Sequence, residues 1–368
     1  MPAATRLLMD VRPLRESPAF RRLWAGSVLS SLGGTMTDFA VTLQVWRLTH
    51  AAIAVGLLGL ARMIPTLTVA MVGGSLADAV DRRKLVLVTS GCAMAVSAGF
   101  AAQAIAGLRQ VWLLYVLVVL AASISSITGP ARRTFAPRLL SAELLPAGLA
   151  LNQLMLPVSM IAGPALAGVI AAAGGLQLCY LIDVASFTAA LYGVARLPAM
   201  RPQGAGPDRG LRAVAAGVRF IVASRPLAGA FLADLNATIF GLPVALFPAI
   251  NAERFGGNPR TLGLFATAIG VGGLLSAALS GPVGSITRQG RAMLCAVAIW
   301  GAAFAGFAVV SSLWLTLSLL AVAGAADMFT VVFRGTIVQQ ATTDELRGRV
   351  TAADYVVGAG GGQLGNVE

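Results

Sequence analysis

The residues able to do chemistry are few, and most stand in apolar surroundings. Asp38, Asp183, Asp234 and Asp327, with Arg62, lie inside otherwise hydrophobic stretches. A charge in hydrocarbon is costly, so each is by default a proton, ion or substrate site. Helical rise puts Asp38 and Arg62 at a similar depth, about 12–15 Å below one face, and an ion pair between them is expected. A pair that only fixes packing is the alternative to a substrate or coupling role. Asp234 and Asp327 are the expected proton-coupling or cation-binding acids, because a carboxyl in low dielectric can take up and release a proton. The alternative is that they face water at the mouth of the protein. Asp183 is expected to pack or hydrogen-bond.

Three further constellations are local. The first is Gly73-Gly74-Ser75-Leu76-Ala77-Asp78-Ala79-Val80-Asp81-Arg82-Arg83-Lys84. Gly74 permits close helix packing. Asp78 stands where a helix leaves the apolar zone and can meet a helix N-terminus or an arginine. Asp81, Arg82 and Arg83 can bridge acids or lipid phosphates. Such a turn would latch two helical bundles at one face; alternatively it only holds the loop in the cytoplasm. A weaker second copy comprises Gly281, Arg288 and Arg291, with Ser285 in the place of Asp78. The third is Gly163-Pro164-Ala165-Leu166-Ala167-Gly168, where proline removes a backbone bond and small residues allow close contact, so a helix kink is expected.

Other chemistries find no support. The lone lysine, Lys84, is in no phosphate loop. Cys92, Cys179 and Cys295 are scattered through apolar segments, and a single histidine, His50, makes a poor metal site. Gly360-Gly361-Gly362-Gln363-Leu364-Gly365 fits a dinucleotide fingerprint but has no strand–helix context. No enzyme activity, cofactor, metal or nucleic-acid partner is expected. The expected partners are a small-molecule substrate and membrane lipids, with the chain a monomer.

These residues must be positioned by membrane-crossing helices. Of 368 residues, 57 % are hydrophobic and only 11 % charged, too few charges to coat a water-facing globule. Apolar runs of about 20 residues recur throughout. Spans are expected over 20–46, 52–77, 85–106, 111–130, 148–173, 176–197, 227–250, 262–284, 291–310 and 312–338, with an eleventh from about 350. With the N-terminus in the cytoplasm, Arg82, Arg83, Lys84, Arg132, Arg133, Arg288, Arg291, Arg334, Arg347 and Arg349 fall inside. Arg47, Arg109, Arg254 and Arg260 fall outside, in keeping with the positive-inside bias. That asymmetry accounts for the net charge of +12 without nucleic acid.

The chain also repeats itself. Gly56 aligns with Gly263, Gly74 with Gly281 and Lys84 with Arg291, and further on Arg132 with Arg334 and Gly163 with Gly365. Two parallel repeats of about six helices are a transporter signature. They imply an N-terminal bundle over 1–197, a cytoplasmic linker over 198–226 and a C-terminal bundle over 227–368. The second bundle then lacks its twelfth helix, and the chain is expected to be a C-terminally truncated piece with about 11 helices present.

The turn at 74–83 resembles the loop signature G-x-x-x-D-R-x-G-R-[RK] of the major facilitator superfamily. Gly74, Asp78, Arg82 and Arg83 match, while Ala79 and Asp81 replace an arginine and a glycine. Gly129-Pro130-Ala131-Arg132-Arg133 and Asp344-Glu345-Leu346-Arg347-Gly348-Arg349-Val350 are similar to stretches of the branch holding enterobactin exporters and macrolide-efflux proteins. The resemblance implies an all-α polytopic membrane protein with the major facilitator fold. It also implies alternating access and a central cavity lined by the first, fourth, seventh and tenth spans. The stretch Gly163–Gly168 looks like the antiporter motif G-P-x-x-G-G, with Ala167 in place of a glycine. That implies efflux of small amphipathic molecules, such as a drug, macrolide or siderophore, driven by a proton gradient across the inner or plasma membrane. A non-transporting receptor or assembly protein of the same fold, and an uptake carrier, are the alternatives.

Overall fold

The computed structural model describes residues 10–200, 219–241, 243–278, 286 and 288–342, without the side chains of 70–79, 225–226, 238–241, 243, 278 and 339. Among the described residues everything regular is helical. The elements are α1 (Arg12–Glu16), α2 (Pro18–Thr49), α3 (Ala52–Ala79), α4 (Arg82–Ile105), α5 (Val111–Arg133), α6 (Ala136–Leu139), α7 (Leu145–Gly174), α8 (Leu176–Ala195), α9 (Arg225–Gly241), α10 (Phe247–Arg254), α11 (Pro259–Ala278), α12 (Gln289–Val309) and α13 (Leu313–Ala341). Eight of them, α3, α4, α5, α7, α8, α11, α12 and α13, contain stretches long and apolar enough to cross a membrane. The 32-residue α2 is also long enough but less apolar, because it carries Arg21, Arg22, Asp38 and Arg47. This is an all-α polytopic membrane protein. With no water in the hydrocarbon layer, helices satisfy their own backbone groups, and runs of this length leave few alternatives.

Two expectations need correcting. Hydropathy reads 227–250 as one span. The structure breaks it: α9 ends at Gly241, a 3-10 turn follows over Pro243–Leu246, and α10 starts afresh. Pro243 and Pro248 cannot donate to the preceding turn, which explains the interruption. Second, Arg334, near the cytoplasmic end of the span 312–338, reads as a solvated inside charge. It lies within α13 and is buried. The linker residues 201–218, the eleventh span and the run 344–350 lie outside the described residues.

The chain forms two compact units, Met1–Val41 with Thr68–Ala205, and Thr42–Leu67 with Gly206–Glu368. In the first, α4 packs on α8 and α5, and α7 on α8. Leu23, Val86, Ala131, Phe135, Val194, Leu197 and Met200 make a buried cluster where α2, α4, α5 and the end of α8 meet. Gly26 and Gly193 let α2 and α8 approach backbone to backbone, since a side chain at either would strike Ala189 or Arg22 main chain. In the second, α11 and α12 both pack on α13. Gly272 lies against the Ala321 carbonyl and Gly324 against that of Ile269. Such small-residue crossings are how helices associate in lipid, where no hydrophobic drive exists between them. Phe247, Phe265, Phe304 and Phe307 add edge-to-face contacts joining α10, α11 and α12.

Candidate functional site

The charged turn between α3 and α4 is held by its own backbone chemistry. Asp81 is the N-cap of α4, accepting from the Arg83 N–H at 2.9 Å and the Lys84 N–H at 3.4 Å. The same carboxylate accepts from the Met200 N–H at 3.3 Å, and the Arg82 N–H returns a bond to the Met200 carbonyl at 3.1 Å. Arg83 Nη2 donates to the Ala195 carbonyl at 2.6 Å, closing the end of α8. Cations favour a helix C-terminus, where carbonyls are unsatisfied. Burial works against ionisation of Asp81, but the N–H groups of Met200, Lys84 and Arg83 outweigh it and hold the carboxyl below its ordinary value. These bonds of Asp81 and Arg83 clasp the turn to the end of α8 within the first unit. Gly74 and Asp78 fall in the last turns of α3, and their side chains lie outside the described residues.

In the second unit, Asp234 of α9 and Arg334 of α13 form a buried ion pair. The guanidinium also lies 5.8 Å from the Phe231 ring centroid, one turn before Asp234 on α9. Asp327 stands seven residues before Arg334, two turns along the same face of α13, and is exposed. Two acids and one cation therefore share a helix pair. The sequence singles out both acids. It hides the cation, although the repeat had already matched Arg334 with Arg132, another basic residue near a span end. Arg132 is half-buried and donates to Ser90 Oγ at 3.2 Å.

In the first unit, Asp183 of α8 is 2 % exposed. Its Oδ2 accepts from Ser97 Oγ of α4 at 2.6 Å and Thr37 Oγ1 of α2 at 2.9 Å. Ser186 Oγ lies 3.4 Å from Oδ1. The expected hydrogen-bonding role is what the geometry shows, with more partners than the sequence suggested.

The remaining candidates lie on several elements. Asp38 is exposed midway along α2, and Arg62 is half-buried in α3. Gly163 and Gly168 are buried in α7, which runs unbroken with Pro157 and Pro164 inside it. Gly163 faces Thr35 of α2, whose hydroxyl donates to the Ser159 carbonyl at 3.0 Å. Arg288 and Arg291 are exposed at the start of α12 and border a cavity of about 650 Å³ that reaches Ile337 and Gln340 of α13. Gly281 lies outside the described residues.

Long apolar helices in two compact units, with charges buried among them, are the architecture of a polytopic membrane transporter. The chain belongs to the transmembrane secretion effector family of the major facilitator superfamily, whose profile matches residues 10–368. It is 25 % identical over 343 residues to the enterobactin exporter EntS of Shigella boydii serotype 18, covering 93 % of this chain and 82 % of that protein. Its fold is shared with a bacterial homologue of the iron transporter ferroportin in an inward-facing state (TM-score 0.71, 17 % identity, 95 % and 90 % of the two chains). It is shared also with the nucleoside transporter NupG (TM-score 0.73, 12 % identity, 95 % and 89 %). The protein is therefore a secondary transporter of the alternating-access type.

Proposed function

We propose that the protein exports small amphipathic molecules, a siderophore foremost, from the cytoplasm across the inner or plasma membrane in exchange for protons. The N-terminus lies in the cytoplasm in this reading. The kinship with enterobactin exporters supports the cargo and the direction. The observation that carries the coupling is the Asp234–Arg334 pair with Asp327 on the same face. Arg334 compensates one carboxylate, which leaves Asp327 to bind a proton or a cationic part of the cargo. Protonating Asp234 releases the arginine toward Asp327 on the same helix, and this gives a charge rearrangement that a bundle can follow. The two halves of the chain, 1–197 and 227–368 about the linker 198–226, are the bodies that would rock, with the turn at 74–83 and its weaker copy at Gly281, Arg288 and Arg291 as closing devices. An ion pair of Asp38 with Arg62 belongs to the same reading, on the path through the first half.

The test is export of a siderophore from energised, everted vesicles with and without a proton gradient. Asp327→Asn is expected to abolish gradient-driven export while leaving membrane insertion intact. Export that survives both Asp327→Asn and Asp234→Asn removes the coupling role. Transport that needs no gradient in the unaltered protein removes proton exchange altogether.

A further inference from the structure

We propose that Asp183 is a proton-binding site of the first unit, its two protonation states served in turn by the hydroxyls of Thr37, Ser97 and Ser186. Three helices converge on this carboxyl, and each brings a hydroxyl: Thr37 from α2, Ser97 from α4 and Ser186 from α8 itself. All three are buried, as is Asp183. Among the described residues no arginine or lysine pairs with it. The contrast with Asp234, which is buried to a similar degree and holds Arg334, is the point of departure. A buried carboxylate without a cation is a costly charge, and its usual escape is to take up a proton.

Hydroxyls suit a group that changes state. Each both donates and accepts, and its proton rotates freely. Facing a carboxylate, Thr37 and Ser97 donate to Oδ2. Facing a carboxylic acid, one of them accepts the acid proton and turns its own toward the carbonyl four residues back, an alternative open to any helical serine or threonine. No bond is left unmade in either state, and one proton is gained or lost. Ser186 already donates to the Asp183 carbonyl at 2.7 Å.

The carboxyl is tightly enclosed on the α2 side. A Cβ on Gly33 would lie 2.5 Å from Asp183 Oδ1 and 2.5 Å from Ser186 Oγ, so α2 presses its backbone against the carboxyl. Tyr180 and Phe100, each one turn along its helix from a residue of the site, stack with centroids 5.5 Å apart. Asp38, the residue after Thr37 on α2, is the nearest acid along that helix and is exposed. On α8 the ionisable neighbours are Cys179 and Tyr180, both buried. On α4 they are Cys92, and Arg82, Arg83 and Lys84 at its far end, about 20 Å by helical rise from Ser97. The length of α7 carries none.

The inference deepens the export reading by naming a second place for a driving proton, and its test needs no cargo. The full-length protein in proteoliposomes is titrated by infrared difference spectroscopy between mildly acid and mildly alkaline buffer. A carboxylic-acid carbonyl band that appears on acidification is expected, lost in Asp183→Asn and kept in Asp38→Asn. Ser97→Ala removes a donor to the ionised form, so its band is expected to persist to higher pH by about one unit. A band untouched by Asp183→Asn, or an unshifted titration in Ser97→Ala, overturns the proposal. So does a band abolished at fixed pH by sodium chloride but not by choline chloride, which would make the site a sodium site. A titrating Asp183 without gradient-driven export would sink the export reading alone.

Discussion

At the level of single residues, the buried pair and the helix cap make opposite demands. Removing one partner of Asp234–Arg334 strands a charge in the bilayer-spanning part of the protein. Arg334→Leu alone is expected to destabilise the detergent-solubilised protein by about 3–5 kcal/mol, and adding Asp234→Leu to recover much of that. Thermal unfolding of the single and double variants measures the difference, and a double variant no better than the single would mean that the pair is not the cause. Asp81 instead works at a surface turn. Its folded-state value lies below that of a free carboxyl. Its contribution is therefore fully present above about pH 4 and is lost as pH falls through the folded value. Asp81→Ala should cost about 0.5–2 kcal/mol at pH 7 and nothing at a pH low enough to protonate the wild-type carboxyl. Both acids of the α9–α13 pair were legible in the sequence, because a carboxylate in an apolar run stands out. Arg334 was not, because an arginine near a span end reads equally well as loop charge. The same ambiguity concealed what Arg83 and Arg254 bind. Both close helix C-termini, Arg83 at Ala195 and Arg254 at the Phe307, Ala308 and Val310 carbonyls. The partners of Asp183 stand 146 and 86 residues away, and no local pattern announces them.

Among the elements, lengths and order were largely readable, because twenty apolar residues in lipid have little choice but a helix. Breaks and contacts were not. Hydropathy is blind to the interruption after α9, although Pro243 and Pro248 mark it. It also passes over the short α1 and α6, whose residues are too few to span anything. The crossing of α11 and α13 depends on Gly272 and Gly324, each facing a carbonyl of its partner helix. Gly272→Leu or Gly324→Leu should cost about 1–3 kcal/mol, or prevent folding, because the helices must separate. Gly301 of α12 has no atom within 4 Å of a built Cβ. Gly301→Ala should be neutral or gain up to about 1 kcal/mol from helix propensity. Midpoints of thermal unfolding in detergent discriminate these outcomes, and equal loss at all three positions would refute the crossing argument.

For the molecule as a whole, membership of the major facilitator superfamily makes two bodies and one path the working unit, and the proposed orientation is testable without transport. Arg109, between α4 and α5, and Arg288, before α12, are both exposed. In a background where Cys92 and Cys295 are replaced by alanine, Arg109→Cys should react with a membrane-impermeant maleimide on intact cells. Arg288→Cys should react only once the membrane is opened. The reverse pattern would invert the topology.

The clasp of Asp81 and Arg82 on Met200 has a practical corollary. Because the main chain at 200 is tied back to the first unit by its own amide and carbonyl, that unit carries its closure within itself. A gene divided just after this codon should yield two fragments that insert and regain transport when expressed together, since Thr42–Leu67 of the amino-terminal piece belongs to the second unit.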